Sequence, residues 1–300
     1  MEVLQINNLH KSYGKIKAVN DLNLSISKGM VFGLLGPNGS GKTTTLGIIL
    51  GILKYDSGSF TWFENAYGEK HRIKIGAILE TPNFYPYLNA IDNLEIVALI
   101  KGEKQPDYES LLKTVDLWHR KDSKFSSYSL GMKQRLAIAA TLIGDPEVLI
   151  FDEPTNGLDP QGIAEVRQIL RRIADSGKTV IMASHILDEV EKICSHVGIM
   201  KNGVLLASGP VGAMLNDNLL GEIGSDDMVA LLAALDEIEG IEVGATRKSY
   251  IECTVDQQMS ASKINRLLVE RGIYVNHLVL RKQRLEEEFL EITRNQNKTK

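Results

Sequence analysis

Cysteine is scarce. Cys194 and Cys253 are the only two in 300 residues, and their spacing fits neither a metal site nor a disulfide framework. Two isolated thiols suit a reducing compartment. Long apolar runs are missing too. No stretch of about 18 apolar residues occurs, so no membrane-spanning helix is expected in this chain. The opening Met1-Glu2-Val3-Leu4-Gln5 lacks the basic start and apolar centre of a signal peptide. Neither sign of charge dominates: 34 Lys+Arg against 38 Asp+Glu leave a net charge of -4, too mild for a dedicated nucleic-acid coat. What remains is ordinary globular composition, 43% hydrophobic and 24% charged, which excludes disordered, collagen-like and coiled-coil classes. At ~100–200 residues per domain, the length accommodates one large domain and a small second one. The expectation is a cytosolic protein able to dock on a membrane partner.

The pattern of the first 210 residues is α/β. Val3–Ile6 and Leu22–Ile26 alternate like strands, and Met30–Leu35 is a continuous apolar run suited to a strand buried on both faces. A glycine-rich loop, Gly36–Gly41, precedes a helical pattern over Thr43–Leu53. Ile75–Leu79 reads as a strand. Residues 88–145 then turn helical, at Ile91–Ile100, Tyr108–Leu117 and Met132–Ile143, which predicts an inserted helical subdomain. Strands return at Val148–Phe151 and Thr179–Ala183, around a helix over Pro160–Asp175. Lys201-Asn202-Gly203 marks a hairpin turn. Strands alternating with helices imply a mostly parallel sheet. From residue 217 a small α+β appendage begins: helix at Met228–Ile238, strand at Tyr250–Val255, helix at Lys263–Arg271, extended chain at Ile273–Leu280 and helix at Leu285–Ile292. The run Glu286-Glu287-Glu288 reads as a solvated helix face.

Two motifs carry chemistry. Gly36-Pro37-Asn38-Gly39-Ser40-Gly41-Lys42-Thr43, followed by Thr44, matches G-x-x-x-x-G-K-[ST]. Its glycines let backbone N–H groups turn inward around phosphate oxygens, and the helix it opens adds its N-terminal dipole. Lys42 can reach the β- and γ-phosphates, and the Thr43 hydroxyl can bind Mg²⁺. Such a pattern arises by chance in about one chain of this length in a hundred, and here it sits between a buried strand and a helix. The second motif, Val148-Leu149-Ile150-Phe151-Asp152-Glu153, is a buried strand ending in two acids at the sheet edge where ligands bind. Asp152 can hold Mg²⁺ and Glu153 can polarise an attacking water.

With these residues in this order the chain resembles ATP-binding cassette (ABC) proteins over residues 1 to 215. Tyr13 sits where the family stacks an aromatic on adenine. Tyr128-Ser129-Leu130-Gly131-Met132-Lys133-Gln134-Arg135 resembles the family signature, Asn156-Gly157-Leu158-Asp159 the loop that crosses between paired cassettes, and Ser184-His185 the switch histidine. The resemblance implies the ABC type of P-loop NTPase: a mostly parallel core sheet, an antiparallel β-subdomain and an inserted helical subdomain, here with an α+β extension over 217–300 beyond the ATPase domain, 1–216. It implies ATP and Mg²⁺ as ligands and ATP hydrolysis with Lys42, Glu153 and His185 as catalytic groups. It also implies a second, identical cassette whose Ser129, Gly131 and Asp159 face the nucleotide held by the first. Integral-membrane permease subunits would be the further partners, with the cassette on the inner face of the cell membrane.

The departures are informative. Glu80 stands where the family commonly has Gln, in a loop that normally touches Mg²⁺ or the attacking water. With Thr81-Pro82-Asn83-Phe84-Tyr85-Pro86 it resembles cassettes of bacitracin- and lantibiotic-type exporters. Leu130 and Met132 replace Gly and Gln of the signature. Leu130 cannot cheaply take φ > 0, so the loop is expected to hold an ordinary conformation, with Ser129 capping the next helix. Asp159 is likewise suited to cap the helix that starts at Pro160. An exporter subunit is the leading expectation, for an antimicrobial peptide or drug. The alternative is a soluble ABC-class ATPase acting on a non-membrane partner.

Overall fold

The computed structural model of the chain describes residues 1–79, 82–214 and 219–282. It divides into a unit of Met1–Pro210 and another that begins at Val211. In the first, β1 (Glu2–Tyr13) and β2 (Ile16–Ser27) pair antiparallel. β3 (Val31–Leu35) leads through the glycine-rich loop into α1 (Lys42–Ile49). This helix stops short of the expected Leu53, because Leu50 caps it and Gly51, at φ +70°, turns the chain away. β4 (Ser57–Trp62) pairs antiparallel with β1, giving a three-stranded sheet in the order β2-β1-β4. β5 (Ile75–Ile78) precedes the helical insertion, α2 (Ala90–Lys101), α3 (Tyr108–Thr114) and α4 (Leu130–Leu142). Then follow β6 (Val148–Asp152), α5 (Pro160–Asp175), β7 (Thr179–Ser184), α6 (Leu187–Ile193), β8 (His196–Lys201) and β9 (Val204–Pro210).

The core sheet runs β5-β6-β7-β3-β8-β9. Its strands are parallel from β5 to β8, and β8 and β9 form the antiparallel hairpin expected at Lys201-Asn202-Gly203. Every residue of β3, β6 and β7 is buried. Their unbroken apolar runs need cover on both faces, and each fully buried Val, Ile or Leu contributes roughly 1.5–3 kcal/mol. α5 supplies part of that cover. Asp159 Oδ1 accepts from the Gly162 N–H at 2.9 Å, Pro160 pre-sets the first turn, and the stripe Val166, Ile169, Leu170, Ile173 is buried. α6 lies close against β3: a Cβ at Gly33 would meet Val190 Cγ1 at 2.6 Å, so only glycine admits the helix there.

The second unit is built from α7 (Val211–Met214), β10 (Leu219–Ser225), α8 (Met228–Asp236), β11 (Ile241–Thr246), β12 (Ile251–Val255), α9 (Ala261–Val269) and β13 (Val275–Lys282). Its sheet is antiparallel, in the order β11-β12-β10-β13, the ferredoxin-like interleaving of two βαβ halves. Ile223, Leu231, Leu235, Ile251, Val255, Ile264 and Leu268 form its own core. The helix expected at Leu285–Ile292, and Glu80 and Thr81, lie outside the described residues.

Candidate functional site

Strand order decides the site. β6, β7 and β3 are neighbours, all pointing the same way, so the segments after Leu35, Asp152 and Ser184 leave the sheet at one edge. The loop after β3 is tied into place by main-chain bonds. The Gly36 N–H donates to the Ser184 carbonyl at 3.3 Å, Ser40 N–H to that of Pro37 at 3.1 Å, and Gly203 N–H to that of Ser40 at 2.9 Å. Gly41 sits at φ +107°, and a Cβ there would run into the Ala18 carbonyl oxygen. Gly41→Ala is therefore expected to cost at least about 1–3 kcal/mol and to abolish nucleotide binding, as thermal melting and titration with a fluorescent ATP analogue would show.

Lys42, 5% exposed, points its ammonium at the loop: Nζ donates to the Gly36 carbonyl at 2.8 Å and to that of Pro37 at 3.3 Å. It also lies 3.4 Å from Glu153 Oε1, while Glu153 Oε2 is 2.7 Å from His185 Nδ1. The three expected catalytic groups thus form one chain of contacts, with the carboxylate between two basic groups. Glu153 is held in the left-handed region, at φ +48°, an uncommon setting for a residue with a side chain. Its N–H donates to the Ala183 carbonyl at 3.0 Å, which fixes the turn.

A cleft of about 300 Å³ is lined by Tyr13, Ile16, Ala18, Asn38, Gly39, Ser40, Gly41, Lys42, Thr43, Thr44 and Glu153. Tyr13 is half-exposed at its rim, its ring 5.3 Å from Lys11 Nζ. A cavity of about 270 Å³ joins Thr43, Asp152 and Glu153 to Leu130, Gln134 and Asn156. Among the described residues Ser40 Oγ is buried without a hydrogen-bond partner, and a buried hydroxyl left so is costly unless a ligand oxygen meets it. The Thr43 hydroxyl with the Asp152 carboxylate is a hard, all-oxygen donor set of the kind Mg²⁺ takes together with phosphates.

Ser129, Gly131 and Asp159 are placed elsewhere. They line a separate cavity of about 410 Å³ with Leu130, Arg135 and Glu165. Ser129 Oγ accepts from the Met132 N–H at 3.3 Å and caps α4. Leu130 opens that helix and is not among the residues at positive φ.

Two residues behind the site, Thr155 and Glu189, were not legible as part of it, and Ser184 was legible only as the neighbour of His185. Glu189 is 2% exposed. Its Oε2 accepts from the Thr155 hydroxyl at 2.6 Å and from the Ser184 hydroxyl at 3.4 Å. Burial pushes its carboxyl above the usual range, and the Thr155 hydroxyl pulls it back. The signal available in the sequence was a carboxylate at helical spacing from Ile193, on the apolar face of α6.

A phosphate-binding loop between a buried parallel strand and a helix, with acids and a histidine on the neighbouring strand ends, defines a P-loop nucleotide hydrolase. The comparisons narrow this. The ABC transporter family model matches residues 19–156. Bacitracin transport ATP-binding protein BcrA of Bacillus licheniformis is 38% identical, over 97% of this chain and 97% of that protein. Lantibiotic transport ATP-binding protein SrtF of Streptococcus pyogenes is 42% identical, over 68% of this chain and 89% of that one. The dimeric structure of the ATP-binding cassette MJ0796, in a post-hydrolysis state with ADP and phosphate, matches with a TM-score of 0.61 and 27% identity, covering 69% of this chain and 98% of that one. The chain belongs to the ABC transporter family, as one of its ATP-binding, ATP-hydrolysing subunits. Cassettes of this family dimerise and work with membrane permease subunits. No helix among the described residues is long and apolar enough to cross a membrane.

Proposed function

We propose that this chain powers an exporter whose membrane-spanning part is a separate chain, and that the cargo is a peptide antibiotic of the bacitracin or lantibiotic kind. Residues 1–216 act as the ATPase domain, and 217–300 as an extension. The cassette works in the cytoplasm, on the inner face of the membrane. The observation that carries the catalytic part is the run of contacts Lys42–Glu153–His185 at the mouth of the phosphate loop. The names of the relatives, transport proteins for bacitracin and a lantibiotic, support the cargo class.

In this reading the amides of Gly36–Thr44 and the Lys42 ammonium hold the triphosphate, and Tyr13 stacks on the adenine. Thr43 and Asp152, and by the family resemblance Glu80, would hold Mg²⁺, whose charge would offset that of the phosphates. Glu153 orients and deprotonates the attacking water, and His185 steadies the γ-phosphate. Ser129, Gly131 and Asp159 line a different cavity from the phosphate loop. They serve the nucleotide of a second, identical chain, with the N-terminus of α4 presented to its γ-phosphate. ATP then acts as the glue between two cassettes, and hydrolysis lets them part.

Affinity purification of the tagged full chain from detergent-solubilised membranes tests the exporter role. A polytopic membrane protein is expected to co-purify, and removal of the gene is expected to sensitise cells to a bacitracin-type peptide. Recovery with soluble partners alone would favour the soluble ABC-class alternative.

A further inference from the structure

Glu189 is a carboxylate with almost no access to water, on a short helix that otherwise buries Val190 and Ile193. A carboxylate is expensive to bury, and one that stays inside is held by the hydrogen bonds it makes. Those bonds run to two different loops. Thr155 lies two residues after Glu153, in the turn that leaves β6, and its hydroxyl donates to Glu189 Oε2 at 2.6 Å. Ser184 ends β7, immediately before His185, and its hydroxyl lies 3.4 Å from the same oxygen.

Ser184 is itself a junction. Its Oγ accepts from the Ile186 N–H at 3.0 Å, and its carbonyl accepts from the Gly36 N–H at 3.3 Å, at the start of the phosphate loop. The arrangement addresses a specific problem. Glu153 is kept at φ +48°, and an uncommon backbone setting persists only where its surroundings over-determine it. The Ala183 carbonyl fixes Glu153 on its N–H side, and the Asn156 N–H, 3.1 Å from the Glu153 carbonyl, closes the turn. The bond from Thr155 to Glu189 anchors that same turn from behind.

We propose that Glu189 is a positioning residue for ATP hydrolysis: through the Thr155 and Ser184 hydroxyls its buried carboxylate clasps the turn after β6 to the end of β7, and so holds Glu153 and His185 face to face. Glu189 does not line the phosphate cleft, and its hydrogen bonds reach the site through Thr155 and Ser184. Gly33 makes the clasp possible, because only a residue without a Cβ lets α6 approach β3 closely enough. On the other side, Arg167 of α5 pairs with Asp188 at 3.5 Å, which holds the first turn of α6 in place.

The inference rests on the roles proposed above for Glu153 and His185, so the test runs Glu153→Gln and His185→Ala beside Glu189→Ala, Glu189→Gln and Thr155→Val. Steady-state ATP turnover of the full-length chain is measured across ATP concentrations, with thermal melting of each variant. Displacing the reacting groups by a fraction of an ångström to one ångström is expected to lower kcat of Glu189→Ala and Thr155→Val by about 10- to 100-fold while KM for ATP stays within about twofold, because the phosphate loop is untouched. Glu189→Gln keeps an acceptor oxygen for both hydroxyls and is expected to recover kcat to within about threefold of the parent. A purely structural carboxylate would lower the melting temperature and leave kcat of the folded variants alone, and that result overturns the proposal. Equal impairment of the Ala and Gln variants overturns it too. Should Glu189→Ala not fold, Thr155→Val decides, since it removes one hydroxyl at constant shape. If Glu153→Gln and His185→Ala turn over normally, the catalytic reading fails and the clasp with it. If they are inactive while Thr155→Val and Glu189→Ala run at the parent rate, the clasp alone fails.

Discussion

Replacing Lys42 by alanine is expected to weaken ATP binding by about 30- to 5,000-fold, the equivalent of the ~2–5 kcal/mol lost when one partner of a buried, hydrogen-bonded charge pair is removed. The magnitude follows from its surroundings. The ammonium is 5% exposed and held by the Gly36 and Pro37 carbonyls and by Glu153. Protein groups thus fix its position at the loop, and little ordering remains to be done on binding. The loop should survive the substitution, because the bonds from Gly36 to Ser184 and from Gly203 to Ser40 do not involve Lys42. Lys42→Arg is the sharper control. A guanidinium is a broad planar fork and does not fit a space shaped for a compact point charge, so charge alone should not restore affinity. Titration with a fluorescent ATP analogue, alongside thermal melting, separates these outcomes. Near-normal affinity of a folded Lys42→Ala chain would remove Lys42 from the phosphate site.

Much of this centre is legible in the chain because its elements declare themselves locally. Met30–Leu35 and Val148–Phe151 are uninterrupted apolar runs that end in a glycine loop and a pair of acids. Pro160–Asp175 carries its proline and its apolar stripe within its own sixteen residues, with its cap, Asp159, directly before them, and its limits are those expected. What stayed hidden depends on distant partners. β4 opens on Ser57, Gly58 and Ser59, which carry no strand signal until β1 is laid beside it, with Leu4 opposite Trp62 and Ile6 opposite Phe60. β10 contains Gly221 and Gly224, and β11 contains Gly244, so neither resembles a strand before the four-stranded sheet forms around it. α6 has seven residues and no side-chain cap, too little for a periodic signal. The same holds at the site. The identity of Glu153 is plain, but its left-handed backbone and the buried Glu189 behind it are products of tertiary packing. That Ser129 and Asp159 line another cavity than the phosphate loop is also a product of packing, and only the family resemblance, not residue order, led to that expectation.

Glu153→Gln is expected to bind ATP at least as tightly as the parent chain while lowering turnover by about 10²- to 10⁴-fold, the contribution typical of a general base. Two properties of one side chain give this pairing of effects. As a carboxylate between Lys42 and His185, Glu153 can accept a proton from a water drawn toward the γ-phosphate, and a neutral amide cannot. As a negative charge on the wall of the phosphate cleft, it also repels the triphosphate, and the amide removes that repulsion without changing side-chain size. The left-handed backbone at residue 153 exists in the parent already, so the substitution adds no new strain there. Bound ATP should consequently persist, and with it the two-cassette state proposed above. Light scattering of the purified variant should report a dimer with Mg-ATP and a monomer with ADP, while the parent chain reverts to monomer as it hydrolyses its ATP. Turnover of Glu153→Gln at the parent rate would move the base elsewhere. His185 would then be the next group to test, because it is the other partner of that carboxylate and directly follows the neighbouring strand.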